Sequence, residues 1–164
     1  MTEINLKKIV ESLINTFLYA GEISLKLRNE GLTKQIKSDN TPVSNGDLEV
    51  NKIIVKKLKE ITPQLLIVSE ESSQNKLDQS LKDFWLVDPI DGTYDYINNL
   101  EEFTINAGLI LNNEPVAGLI YAPAKKRMFF SYGQDSAYEI VDGKHIKLDC
   151  LKNFNKDSIK FVSY

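Results

Sequence analysis

One cysteine, one histidine and one tryptophan are spread over 164 residues, and each scarcity closes a class of chemistry. Cys150 on its own makes no internal disulfide, and without a second cysteine it lacks the spacing of a zinc site, so it reads as an ordinary structural thiol. His145 lies two residues past an Asp-Gly turn, with no acidic partner arranged for a triad, and is not a candidate catalytic base. No apolar stretch reaches the roughly 18 residues that a membrane span needs. The start, MTEINLKKIVESLINTF, alternates charge with apolar residues where a secretory signal needs an unbroken apolar segment, so a cytoplasmic location is expected. Neither sign of charge forms a long block: Lys and Arg number 20, Asp and Glu 23, and the net charge is −3. That balance offers no surface for nucleic acid or membrane.

What remains is a globular composition, 42% hydrophobic and 9% aromatic, sufficient for one sizeable core. Leu6, Ile9, Val10, Leu13, Phe17, Ala20, Ser24 and Leu27 recur at intervals of three and four, which predicts a long amphipathic helix ending near Gly31. TKQIKSDNTPVSNGD is rich in turn formers and reads as a loop; Asp47 then opens a second helix, with Val50, Ile53, Ile54, Leu58 and Ile61 inward and Pro63 as its stop. VKKLKE within it is a solvated face. Beyond Pro63 the period changes to that of strands: 65–68, 84–87, the alternating FTINAGLIL, and 116–121, 128–132, 137–141 and 145–148. The aromatics Phe129, Phe130, Tyr132 and Tyr138 fall at strand spacing and read as packing. Helices followed by a largely antiparallel sheet make an α+β fold.

Chemistry concentrates in WLVDPIDGT. Val87 ends a buried strand, Asp88 stands at its mouth, and Pro89, with no N–H for the ladder, sends the chain out of the sheet. Asp91-Gly92-Thr93 then turns into a short helix whose first N–H groups lack internal partners and attract an anion, phosphate above all. Two carboxylates beside an anion site repel it unless a cation intervenes, which implies a hard divalent ion, Mg²⁺ or Ca²⁺. Taken alone, such a stretch is more often just a helix cap and a turn former. The layout is repeated, however: LLIVSEES runs a buried strand into Glu70 and Glu71, and KSDNTPVSNGD delivers Asp47 to a helix start. Three acidic stations in three loops make a constellation.

SDNTPVSNGD, VSEES and WLVDPIDGT resemble, in order and approximate spacing, the N-terminal signatures of the Mg²⁺-dependent, lithium-sensitive phosphatases related to inositol monophosphatase. The resemblance implies a layered sugar-phosphatase-type fold and an enzyme, a metal-dependent phosphoric monoester hydrolase acting on a small phosphorylated substrate. By the same likeness, Glu70 is a metal ligand and water-activating carboxylate, Asp88 a bridging ligand, Ile90 a carbonyl ligand and Asp91 a ligand of a second metal. Gly92 and Thr93 would bind phosphate through backbone N–H groups, with Asp47 paired to the Thr93 hydroxyl. Lys37, ahead of Asp39, is a further candidate phosphate contact. The chemistry implied is in-line hydrolysis by an activated water, with no covalent enzyme intermediate.

VSEES, EEFTINAGLI and PVAGLIYAPA resemble the 3'(2'),5'-bisphosphate nucleotidases of the CysQ type more than the inositol monophosphatases. The implied substrate is adenosine 3',5'-bisphosphate or its sulfated form; an inositol or sugar monophosphatase is the alternative. Relatives are longer, and their second half carries a Trp-Asp signature that is not found here, where the only Trp is Trp85. The resemblance therefore implies an N-terminal portion: residues 1–150 as a metal- and phosphate-binding domain, and 151–164 as the start of a C-terminal domain whose remainder is missing. Impaired activity follows, or, as a reading of another class, an inactive remnant or binding module. SIKFVSY becomes a strand without its sheet, with Ile159 and Phe161 on an edge expected to self-associate. Gly46 ahead of Asp47, where relatives often carry a side chain, is expected to leave the helix start looser.

Overall fold

The computed structural model describes residues 5–36, 42–71 and 81–149. Its first element is α1 (Leu6–Glu30), capped by Asn5, whose side chain accepts from the Lys8 N–H at 2.9 Å, and closed by Gly31 at φ 100°. Val10, Leu13, Ile14, Phe17 and Ala20 form its buried stripe. Two three-residue strands follow, β1 (Lys34–Ile36) and β2 (Pro42–Ser44), paired antiparallel. They correct the expectation of a plain loop: turn formers dominate that stretch, but Lys34–Ile36 and Pro42–Ser44 pair through their backbones. The second helix, α2 (Asn45–Ile61), begins earlier than expected. Its N-cap is Ser44, and Asp47, three residues on, reaches back to it.

A seven-stranded sheet then forms in chain order: β3 (Leu66–Ser69), β4 (Phe84–Asp91), β5 (Thr104–Leu111), β6 (Glu114–Ala122), β7 (Arg127–Tyr132), β8 (Ala137–Val141) and β9 (Lys144–Lys147). The β3–β4 pair is parallel and the others antiparallel, so the sheet is largely antiparallel, as the sequence implies. A short helix, α3 (Thr93–Ile97), sits between β4 and β5. Alternation decides which face is buried. Trp85, Val87, Ile105, Ala107, Leu109, Leu119, Met128 and Phe130 join Phe17, Val50, Ile54 and Leu58 in one core, with α1 over β6 and β7 and α2 over β3 and β4. Phe130, Tyr132 and Tyr138 stack on one another at centroid distances of 5.3–6.1 Å, and His145 meets the Phe130 ring edge-on at 5.1 Å.

Trp85 shows how the core positions the strand that matters. It is fully buried, and its indole N–H donates to Thr62 Oγ1 at 3.0 Å, while that hydroxyl donates to the Leu58 carbonyl at 2.9 Å. One residue thus fills the core and fastens β4 to the C-terminal end of α2. Lys37, Cys150 and the 158–164 stretch, with the contacts and self-association expected of them, lie outside the described residues.

Candidate active site

The strand bearing Asp88 does not end at Val87. It continues through Pro89 to Asp91, and its register against β5 slips on the way: Asp88 faces Asn106 and Asp91 faces Thr104. Three steps on β4 match two on β5, so one extra residue is accommodated as a bulge at Pro89-Ile90. Proline supplies no N–H to the ladder, and a bulge is where a strand tolerates that loss. The consequence is stereochemical. Residues three apart on a regular strand project to opposite faces; with one residue inserted, Asp88 and Asp91 project to the same face, beside Asn106.

Beyond Asp91 the chain turns through Gly92, at φ 87°, where a side chain would also press to 2.7 Å of the Glu102 carbonyl oxygen. Thr93 opens α3 and turns its hydroxyl back, 3.1 Å from Asp47 Oδ1 and 3.0 Å from the Ile90 carbonyl oxygen. The Asp47–Thr93 pairing expected from the sequence is therefore present. Asp47 is 1% exposed, and its second oxygen accepts from the Ser44 N–H at 2.8 Å and the Ser44 hydroxyl at 2.6 Å. A buried carboxylate so engaged on both oxygens has a fixed orientation.

Glu70 comes from the neighbouring strand end. The parallel pairing of β3 with β4 puts Ser69 opposite Val87, and the Glu70 N–H donates to the Val87 carbonyl at 3.1 Å. Ser69 is buried and hydrogen-bonded to Asn51 of α2 at 2.6 Å, which holds this strand end against the helix. The Glu70 carboxyl lies close enough to that of Asp88 to act on its charge. Burial, with the charges of Glu70, Asp91 and Asp47 added, pushes Asp88 from an ordinary 3.8 up to about 7.

Asp88, Asp91, Glu70 and Asp47 thus converge on the carboxyl ends of β3 and β4, and Ile90, Gly92 and Thr93 close the turn around them. Asp88 Oδ1 is buried with no hydrogen-bond partner among the described residues, as is Asn106 Oδ1. An orphaned carboxylate oxygen amid like charges suits a hard cation. Among the described residues, however, no group of three or more His, Cys, Asp or Glu side chains stands in an arrangement that would already hold one.

Gly46 is not the loose point it was expected to be. A Cβ there would collide with the Tyr96 hydroxyl and lie 2.7 Å from two atoms of that ring. Tyr96 is fully buried, donates to the Ser24 carbonyl oxygen at 2.7 Å, and packs at 4.9 Å on Phe103. The glycine therefore admits the ring that ties α3 to α1 and to the start of α2. Sequence reasoning passed over Tyr96, Ser44 and Asn106. The Ser44-x-x-Asp47 spacing was a readable capping signal, whereas Asn106 is identified only by strand register.

A model of the inositol monophosphatase family matches residues 5–157. The chain belongs to that family. Within the inositol monophosphatase family it is similar to the 3'(2'),5'-bisphosphate nucleotidase CysQ of Aggregatibacter actinomycetemcomitans, 34% identical over 142 residues, 85% of this chain and 53% of the relative. The crystal structure of CysQ from Bacteroides thetaiotaomicron superposes with a TM-score of 0.65 at 32% identity, over 83% of this chain and 49% of that one. A staphylococcal inositol monophosphatase-1 shares the fold, with a TM-score of 0.74 at 20% identity over 84% and 52% of the two chains. The chain thus spans about half the length of the family members it matches.

No helix among the described residues is long and apolar enough to cross a membrane. Beside the carboxylates lies a cleft of about 490 Å³, lined by Asp91, Gly92, Asp95, Glu102, Phe103 and Lys125 among others, with Lys125 paired to Glu102 at 2.8 Å.

Proposed function

We propose that residues 1–150 form the metal- and phosphate-binding part of a Mg²⁺-dependent phosphomonoester hydrolase of the 3'(2'),5'-bisphosphate nucleotidase type. The observation that carries the reading is the bulge at Pro89-Ile90, which puts Asp88 and Asp91 on one face of β4, where the parallel β3–β4 pairing delivers Glu70. Similarity to proteins named CysQ supports the substrate class, bisphosphate nucleotides such as adenosine 3',5'-bisphosphate.

Glu70, Asp88, Asp91 and the Ile90 carbonyl would hold the cation. When bound, Mg²⁺ supplies Lewis-acid polarisation of a phosphoryl oxygen and raises the acidity of a water. The remaining work falls to the chain. Asp47, fixed by Ser44, orients the Thr93 hydroxyl, and that pair, with Glu70, draws a proton from the attacking water. The N–H groups of Gly92 and Thr93, at the start of α3, receive phosphate oxygens. Every role is positional or electrostatic, as phosphoryl transfer requires.

A polyol monophosphate is the second reading, and the cleft favours it. Among the described residues, Asp91, Asp95, Glu101 and Glu102 line that cleft against one cation, Lys125, a composition better suited to hydroxyl groups than to a second phosphate.

Because these residues span about half the length of the relatives matched, their turnover in isolation is expected to be far below an ordinary enzymatic rate, on the order of 1 s⁻¹. Binding is the more direct readout. In a Mg²⁺ titration followed by NMR, the Gly92 and Thr93 amides are expected to shift, and adenosine 3',5'-bisphosphate is expected to bind only once Mg²⁺ is present. No amide shift at concentrations on the order of millimolar refutes the site, and binding of inositol 1-phosphate in preference to the nucleotide selects the second reading.

A further inference from the structure

Asn106 stands beside the carboxylates, yet it is not acidic, and the EEFTINAGLI stretch that contains it reads in the sequence as a strand and a likeness, with no site role for this residue. It belongs to β5, directly across the ladder from Asp88. Its side-chain Nδ2 donates to Asp91 Oδ2 at 3.3 Å. Its Oδ1 is buried and has no partner among the described residues, and the same is true of Oδ1 of Asp88, the residue it faces. Two buried acceptors facing each other's residue across one rung, with no donor between them, form a costly arrangement that a core filled with apolar side chains would avoid.

We propose that Asn106 is a positioning residue of the cation site, fixing the Asp91 carboxylate through its amide N–H and presenting its amide oxygen to a donor that arrives with the cation. The chemistry of Mg²⁺ accounts for both halves. It demands near-octahedral geometry and keeps several of its waters, so a carboxylate ligand must be held at one rotation and the retained waters need acceptors beside it. An amide is the side chain that meets both needs at once: the nitrogen donates to the ligand, and the oxygen accepts from a water. A further carboxylate at this position would accept but not donate, and would add to the repulsion that already raises Asp88. A hydroxyl is too short to span from β5 to Asp91 and also accept on the Asp88 side. Partners of this kind, one step removed from the metal, typically change affinity by about 10- to 100-fold when removed.

This proposal rests on the cation reading above, and the experiment separates the two. Mg²⁺ is titrated calorimetrically into the 164-residue chain, into Asn106→Leu and into Thr104→Val, and the melting temperature of each is recorded in chelator. Thr104 faces Asp91 from the same strand and serves as the control. Asn106→Leu is expected to bind Mg²⁺ at least about 10-fold more weakly, with a metal-free melting temperature equal to or above the parent's, since it removes a buried acceptor without a partner. Thr104→Val is expected to keep the parent's affinity. In the unsubstituted chain, the Asn106 side-chain amide resonances are expected to move with the same Mg²⁺ dependence as the Gly92 amide, a signature that needs no variant to fold. Parent-like affinity in Asn106→Leu, or Asn106 amide resonances that stay still while Gly92 shifts, overturns the proposal and leaves the cation reading standing. A lower metal-free melting temperature with unchanged affinity also overturns it, in favour of a purely structural asparagine. An unsubstituted chain that binds no Mg²⁺ overturns both.

Discussion

Asp88→Asn should make the metal-free chain more stable above neutral pH and leave it unchanged in acid. Asp88 is raised from 3.8 to about 7 by burial and by the charges of Glu70, Asp91 and Asp47. The folded state therefore holds the Asp88 proton more tightly than the unfolded state does. Below about 3.8 both states are protonated and nothing is lost; as pH rises from about 4 to about 7 only the unfolded chain releases the proton, so folded stability falls, and above about 7 the loss is complete. At about 1.4 kcal/mol per pKa unit the difference corresponds to roughly 4 kcal/mol. Asp88 is only half-buried, and solvent screening brings the expected loss down to about 1–2 kcal/mol. Asparagine keeps the shape and cannot ionise. In chelator, the two melting curves should coincide near pH 4 and separate by about 3–6 °C at pH 8, with the variant higher. Adding Mg²⁺ at pH 8 should raise the parent toward the variant, because a cation removes the repulsion that the substitution removes. A gap between the two proteins that is the same at pH 4 and pH 8, or a variant less stable than the parent at pH 8 in chelator, would refute the reasoning.

The packing around the site can be tested through two further substitutions. Gly46→Ala places a methyl group against the buried Tyr96 ring, and since that ring is held between Ser24 and Phe103 the expected loss is about 1–3 kcal/mol, read as a lower urea midpoint; an unchanged midpoint would mean that Tyr96 moves freely. Asp47→Asn sets an amide where the Ser44 N–H and hydroxyl both donate, so about 1–3 kcal/mol of stability should go with the capping box. Its mark should also show in the Thr93 hydroxyl, whose exchange with water should quicken; a slow, parent-like exchange would show that Ile90 alone holds Thr93.

The parts of this molecule that were legible in the sequence are those a single segment decides. The stripe from Val10 to Ala20 and the run from Val50 to Leu58 bury one face whatever the rest of the chain does, and the alternation in β5 fixes which of its residues enter the core. Features that depend on two segments meeting were not legible. Lys34–Ile36 has no strand character of its own and becomes a strand only against Pro42–Ser44; Gly46 reads as slack until Tyr96, fifty residues later, fills the space above it. The site shows the same division. Asp88, Asp91, Glu70 and Asp47 are recognisable by type and setting, but Pro89 was read as the end of a strand when it marks a bulge within one, because register exists only between paired strands. That difference carries the chemistry. A strand ending at Val87 would leave the two aspartates in a loose turn with no fixed relation, whereas an extra residue in a continuing strand puts both carboxylates on one face of a sheet whose core side is anchored by Trp85. The three-residue spacing and the proline are then a single feature: a bulge is what lets a period-two strand present carboxylates three residues apart on the same side, and proline is the residue that a regular ladder rejects at that position.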